Sequence, residues 1–123
     1  MRIYIAGAYS ADNVISILDN IRIGMRAATE VLLLGHSPFC PWLDFHFQLM
    51  LRNNETLTVK QYYKYSMDWL EVSDIVYVCH YSPDSKGTQA EIDKAVELGI
   101  PVVGGSLEIL KELIEKLKDD IRV

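Results

Sequence analysis

The fold of this chain is constrained most by an alternation of two kinds of segment. Extended runs and amphipathic helical segments follow one another from end to end. Extended, β-rich runs are predicted at Arg2–Gly7, Ser37–Trp42, Asp74–Cys79 and Ile100–Val103. Helical spacing fills the intervals between them and the end of the chain. Such β-α alternation predicts a parallel sheet with helices on both faces.

The helical segments have recognisable ends. Asp12 or Asn13 can cap a first helix that Gly35 ends, with an apolar face made of Val14, Ile17, Leu18, Ile21, Met25, Ala28 and Leu32. Further helices are predicted at Val59–Glu71, at Thr88–Leu98 and after Ser106, the last with the face Leu110, Leu113, Ile114 and Leu117. The stretch Leu43–Thr58 has the weakest pattern, with a short helix around Phe45–Leu51.

The connections fix the topology and the place of a site. With right-handed crossovers, strand order 2-1-3-4 is the simplest arrangement, so we expect a single flavodoxin-like, doubly wound α/β domain over residues 1–123. Ligands bind such sheets beyond the carboxyl ends of the strands, at the switch between the first and third strands. The loops Ala8–Asn13 and His80–Gly87 are therefore the places to look for functional residues.

Charge and composition exclude several classes of protein. The net charge of −5 argues against polymeric nucleic acid as the main partner. The apolar run Val31–Leu34 is too short to cross a membrane, and Met1–Ala8 has the pattern of a strand rather than a signal peptide. Cys40 and Cys79 match neither a disulfide framework nor a metal site, which is typical of reduced thiols in the cytoplasm.

The segment from Ser85 to Glu91 carries the clearest chemistry. It joins the third strand to a helix, where Gly87 permits a tight turn and the first N–H groups offer an anion site. Glu91 lies one turn into that helix, within reach of the same crevice. The alternative is structural: Thr88-x-x-Glu91 is also a capping box, in which Glu91 only bonds back to the backbone.

Two further residues could complete a catalytic group with Glu91. Asp68 lies beside the apolar face of its helix and ahead of the third strand, where it could pair with Glu91, although most such aspartates are simply solvated. Two carboxylates flanking a sugar are what glycosidic cleavage needs, at roughly 5–6 Å for a retaining pair. Tyr4 is on the first strand and is either core or the hydrogen-bond partner of a crevice carboxylate.

Other candidates for substrate binding are Gly7, Trp42 and His80. Gly7 and His80 end the first and third strands, and Trp42, with Phe45 and Phe47, could stack on a base or belong to the core. His36, His46 and His80 show no ligand spacing, so we expect no metal.

Three blocks of the chain resemble the nucleoside 2-deoxyribosyltransferase superfamily, which includes the 2′-deoxynucleoside 5′-phosphate N-hydrolases. The blocks are Tyr4–Gly7, Asp68–Val76, and Ser85-x-Gly87-x-x-x-Glu91 followed by Gly99-Ile100-Pro101-Val102. The resemblance implies that Glu91 attacks C1′ of the sugar and that Asp68 contacts the base or relays its proton. It implies that Tyr4 holds the Glu91 carboxylate and crowds the 2′ position. We expect no cofactor.

Differences from the family pattern bear on the substrate. Ser85 stands where the transferases have an acidic residue for the sugar 5′-hydroxyl, and in this it resembles the N-hydrolases, because a hydroxyl can donate to a phosphate. The transferases borrow an asparagine from a neighbouring subunit, but this chain has none after Asn54. Both points favour a 5′-monophosphate substrate and water as acceptor, whereas the loop Ala8–Ala11 lacks the arginine of some N-hydrolases.

The sequence thus predicts cleavage of the N-glycosidic bond of a nucleoside or its 5′-monophosphate, by hydrolysis or deoxyribosyl transfer. The alternative is a non-catalytic nucleotide-binding or regulatory domain on the same fold. Receiver, P-loop and dinucleotide-binding patterns are absent from the sequence. Because the domain is small and its final helix amphipathic, we also expect a homodimer.

Overall fold

We describe the chain from a computed structural model, which covers residues 1–81 and 84–122. The strands β1 (Arg2–Gly7), β2 (Ser37–Phe39), β3 (Ile75–His80) and β4 (Val102–Gly104) form a parallel sheet in the order β2-β1-β3-β4. The predicted α/β class and strand order are therefore confirmed. Part of the predicted loop His80–Gly87, at Ser82 and Pro83, lies outside the described residues.

Helices connect the strands and end the chain. They are α1 (Val14–Leu33), a 3₁₀ turn (Pro41–Phe45) continued by the short α2 (His46–Met50), α3 (Val59–Glu71), α4 (Lys86–Leu98) and α5 (Leu107–Arg122). Asn13 caps α1 by accepting a hydrogen bond from the backbone N–H of Ser16, and Thr58 forms a capping box with Gln61 at the start of α3. Within the described residues, none of the helices has the length and apolarity to cross a membrane.

The sheet has a hydrophobic core on each face, because alternate side chains of β1 and β3 point to opposite sides. On one face Ile3 and Ile5 pack with residues of α1 and α5. On the other face Tyr4 and Ala6 pack with Leu70 of α3 and Ala95 of α4. Tyr4 therefore points to the face that carries α3 and α4.

Several predicted boundaries were wrong. The third and fourth strands are Ile75–His80 and Val102–Gly104, and not Asp74–Cys79 and Ile100–Val103. The second strand ends at Phe39 and not at Trp42, because Pro41 begins the 3₁₀ turn and so brings Trp42 to the end of the sheet. The helix predicted to begin at Thr88 begins at Lys86, because Ser85 is its N-cap.

The predicted apolar face of α1 was wrong in part. Its buried residues are Gly24, Ala27, Ala28 and Val31, whereas Val14 and Leu32 are 68% and 62% exposed. The helix approaches its neighbours through small side chains, since a Cβ at Gly24 would stand 2.2 Å from the ring of Trp42. Packing against Trp42 thus sets the rotation of α1, and the larger side chains are left at the surface.

Candidate active site

A cavity of about 610 Å³ opens at the carboxyl ends of β1 and β3. Its walls come from the loop after β1, the 3₁₀ turn, one face of α3 and the first turns of α4. The cavity lies at the switch point where the doubly wound topology predicts a ligand site.

Glu91 and Tyr4 meet in this cavity. The Tyr4 phenol donates a hydrogen bond to the Glu91 carboxylate, and the Ser66 hydroxyl donates to the Tyr4 oxygen. All three residues line the cavity, although Tyr4 itself is only 1% exposed. A strand, α3 and α4 therefore each supply one member of a hydrogen-bonded chain that ends on Glu91.

The surroundings of Glu91 disfavour its charge. Burial raises the pKa of the Glu91 carboxyl to about 7, against which the hydrogen bond from Tyr4 acts only in part. Burial and the nearby Glu91 charge also raise the pKa of Tyr4, which keeps its phenol protonated as a donor. Among the residues that the structure describes, no group forms a hydrogen bond with the buried Oε2 of Glu91.

The structural alternative for Glu91 does not fit this geometry. The N-cap of α4 is Ser85, whose hydroxyl accepts from the backbone N–H of Thr88 at 3.3 Å. Thr88 therefore lies inside the first turn and cannot be the cap that the Thr88-x-x-Glu91 capping box requires. Glu91 is free of that role and points to Tyr4 instead.

The start of α4 forms a polar end of the cavity. Lys86 and Gly87 line it, and their N–H groups precede the first intrahelical bond, from Gln89 to Ser85. The Ser85 hydroxyl lies 2.7 Å from that of Thr88, so Ser85 is both cap and cavity residue. Gly87 is helical and not a tight turn as predicted; it makes room for Tyr63, whose hydroxyl would lie 3.1 Å from a Cβ there.

Asp68 does not join this group, and the predicted pairing of its carboxylate with Glu91 was wrong. Its side chain is 56% exposed, forms a 2.7 Å salt bridge with Lys64 and does not line the cavity. At about 100° per residue, the α3 face that reaches the cavity contains Val59 and Ser66, and Asp68 lies on the opposite side.

The structure places the remaining candidates as follows. Gly7 and Trp42 line the cavity, whereas His80 and Phe47 do not. Trp42 is buried, and its indole Nε1 donates to the Ala8 carbonyl at 3.1 Å. Gly7 lacks space for a side chain, because a Cβ would come within 3.1 Å of the Trp42 ring.

Sequence reasoning missed several residues of the cavity wall, among them Asp44, Tyr62, Tyr63 and Ser66. The helical spacing of Tyr63 and Ser66 with Leu70 could have found the two α3 residues. Asp44 follows Pro41 in the 3₁₀ turn, whose residues the sequence pattern had assigned partly to a strand. No periodic pattern in the sequence indicates that the Asp44 side chain faces the cavity.

Neither thiol nor metal chemistry is indicated. Cys40 and Cys79 are free, and burial raises the pKa of the Cys79 thiol to about 12, which keeps it protonated. Within residues 1–81 and 84–122, no three histidine, cysteine or acidic side chains stand close enough to hold a metal ion.

Comparison with known proteins gives a family and a fold. A family model described as a domain of unknown function, DUF7768, matches residues 1–104. No curated protein matches the chain. The solved structure of a 2-deoxyribosyltransferase from Bacillus psychrosaccharolyticus aligns with a TM-score of 0.60 and 20% identity, over 85% of this chain and 71% of that one. The two chains share a fold.

Proposed function

The chain belongs to the DUF7768 family, a domain of unknown function. We propose that it cleaves the N-glycosidic bond of a deoxynucleoside or its 5′-monophosphate, with Glu91 as nucleophile. A solved structure that shares its fold is that of a 2-deoxyribosyltransferase. The sequence blocks that resemble the nucleoside 2-deoxyribosyltransferase superfamily include Tyr4 and Glu91. We further propose membership of that superfamily.

One observation carries this proposal: a cavity-lining carboxylate that is hydrogen-bonded on one side and unpartnered on the other. Tyr4 fixes Glu91, while its buried Oε2 has no protein partner among the described residues. A buried acceptor without a partner costs free energy unless a ligand or a proton compensates. A weakly solvated carboxylate next to a cavity is a suitable nucleophile for an electron-poor sugar carbon.

The reaction proceeds in two displacements at C1′. A Glu91 oxygen forms a bond to C1′ as the bond to the base nitrogen breaks, and the base leaves with the electron pair and takes a proton from water. Water, or a second base, then attacks C1′ and releases the carboxylate, losing a proton in the process. The broad terminal torsion of glutamate lets either oxygen turn to the sugar.

The polar start of α4 supports a 5′-monophosphate as substrate. The N–H groups of Lys86 and Gly87, which precede the first intrahelical bond, can donate to an anion there, as can the Lys86 ammonium and the Ser85 hydroxyl. Glu91 lies five residues further along the helix, about 7.5 Å at 1.5 Å per residue. This separation suits a ligand whose phosphate is at the helix start and whose C1′ is at Glu91.

The decisive experiment measures release of free base from each deoxynucleoside and its 5′-monophosphate by chromatography. Glu91→Gln keeps the size of the side chain but removes the nucleophile, so turnover should fall by roughly a thousandfold or more. The matched control is Glu97→Gln, an exposed acid on the same helix, which should retain wild-type turnover. Adding a second base distinguishes transfer, which yields a new nucleoside, from hydrolysis, which yields free sugar.

The absence of Asp68 from the cavity favours one rival function, a domain that binds nucleotides without cleaving them. In that case the wild-type chain would bind a deoxynucleotide but release no base, and Glu91→Gln would bind it at least as tightly. Base release by Glu91→Gln at the wild-type rate would remove Glu91 from the mechanism.

A further inference from the structure

The end of the cavity formed by the 3₁₀ turn contains a second carboxylate, Asp44. Asp44 is half-buried, and burial alone raises the pKa of its carboxyl. Neither charge shifts the pKa of the other carboxyl, so Asp44 and Glu91 are not in direct contact. Asp44 therefore does not take the place that sequence reasoning had given to Asp68.

The carboxylate of Asp44 has no partner within the described residues. None of the side-chain hydrogen bonds and salt bridges involves it. Its charge contributes to the raised pKa of Tyr9, which lines the same cavity and is also influenced by Tyr62. Asp44 also borders a neighbouring groove, where its charge contributes to the raised pKa of the Cys40 thiol.

The groups around Asp44 are flat, and among the described residues of this end they include hydroxyl and amide groups but no positive charge. The rings of Tyr9, Phe45 and Tyr62 line this end, and the Gln48 amide donates to the Tyr62 hydroxyl at 2.7 Å. Lys86, the cation of the described cavity wall, belongs to the α4 end. A flat ligand that brings its own N–H donors would satisfy the carboxylate.

We propose that Asp44 selects the base of the substrate, accepting a hydrogen bond from an exocyclic amine and so favouring cytosine, adenine or guanine over thymine and uracil. This inference rests on the proposed function, in which Glu91 marks the sugar and the start of α4 marks the 5′ end. A carboxylate can only accept hydrogen bonds. Cytosine and adenine offer an NH₂ group where thymine and uracil present a carbonyl oxygen, and guanine offers its NH₂ group at C2. A carbonyl oxygen facing Asp44 would be repelled by the carboxylate.

Binding measurements test this selection without depending on catalysis. In the Glu91→Gln background, calorimetry gives Kd for deoxycytidine and deoxyuridine 5′-monophosphates, which differ by an amine against a carbonyl. We expect the cytosine nucleotide to bind at least about tenfold more tightly. Adding Asp44→Asn should bring the ratio close to one, because an amide can both donate and accept. Asp84→Asn, at the other end of the cavity, should leave the ratio unchanged.

Several outcomes would overturn the inference. These are equal or reversed affinities for the two nucleotides, a ratio that survives Asp44→Asn, and failure to bind any of the amino-base nucleotides. Asp44→Ala provides a second variant, and melting curves verify that each one is folded. Base release by the wild-type chain tests the proposed function separately. If the chain selects nucleotides but releases no base, Asp44 selects the base in a binding domain and not in an enzyme.

Discussion

At the scale of single residues, the protonation of Glu91 controls the proposed chemistry. A nucleophile must be deprotonated, yet burial raises the pKa of this carboxyl to about 7. The hydrogen bond from Tyr4 acts in the opposite direction and lowers that pKa. Tyr4 thus increases the reactive fraction of Glu91 near neutral pH.

This relation predicts a pH profile. In the wild-type chain, kcat/KM for base release should rise with pH around a midpoint of about 7, because ionised Glu91 replaces the protonated form. Tyr4→Phe removes the hydrogen bond that lowers the pKa of Glu91, so the midpoint should move to higher pH. Tyr81→Phe, at an exposed tyrosine outside the cavity, is the control. A midpoint that moves to lower pH in Tyr4→Phe would contradict the assigned role of Tyr4.

Single residues also show why the site could be predicted only in part. Glu91 and Tyr4 could be predicted because Glu91 lies one turn into the helix after the third strand and Tyr4 lies on the first strand, and the β-α alternation determines both elements well. Asp68 was misplaced because it follows Met67, which lines the cavity, and one residue turns a helical side chain by about 100°. Asp44 was missed because its direction depends on a 3₁₀ turn that carries no apolar period.

At the scale of elements, the start of α4 combines two tasks in one residue. Ser85 caps the helix and also faces the proposed phosphate. Asparagine and aspartate cap helices about as well as serine, so the two tasks can be separated by substitution. Only aspartate among the three adds a charge.

Because capping and phosphate binding by Ser85 can be separated, two substitutions of this residue should have contrasting effects. With turnover blocked by Glu91→Gln, Ser85→Asp should weaken binding of a deoxynucleoside 5′-monophosphate by about tenfold or more, through repulsion of the phosphate. Its effect on the matching nucleoside should be small, and Ser85→Asn should spare both ligands. Calorimetric Kd values provide the measurement. Equal losses for nucleoside and nucleotide would show that Ser85 does not face a phosphate.

Helix packing was the least predictable feature of the elements. The sequence showed an amphipathic α1 but not its rotation, which depends on Trp42 filling the space above Gly24. That contact joins residues far apart in the chain and leaves no local pattern. The strand order was predictable because it depends on the alternation of elements and not on side-chain fit.

At the scale of the whole molecule, exposed apolar side chains support the expected homodimer, though not for the reason first given. The apolar face of α5 is used internally, since Leu110 and Ile114 are buried. A groove elsewhere is lined by Met25, Leu32, Leu43, Phe47 and Tyr65, all of them at least partly exposed. Contiguous apolar surface of this kind is typical of an interface.

We therefore predict a homodimer whose two copies contact each other through this groove. Light scattering at micromolar concentration should give twice the mass of the chain, and Leu32→Asp should yield monomers by placing a charge in the contact. Leu33→Asp is the matched control, because Leu33 is on the same helix and 76% exposed but lies outside the groove. A monomeric wild-type chain, or equal effects of both substitutions, would contradict this arrangement.

The edges of the sheet have a consequence for the behaviour of the protein in concentrated solution. β2 and β4, the edge strands, contain three residues each, and Pro38 of β2 has no N–H to offer. Long, flat sheet edges pair with strands from other molecules and lead to fibrillar aggregates, whereas short edges interrupted by proline resist such pairing. Partially unfolded copies should therefore find no template on a native molecule, and aggregation on heating should need the sheet itself to open.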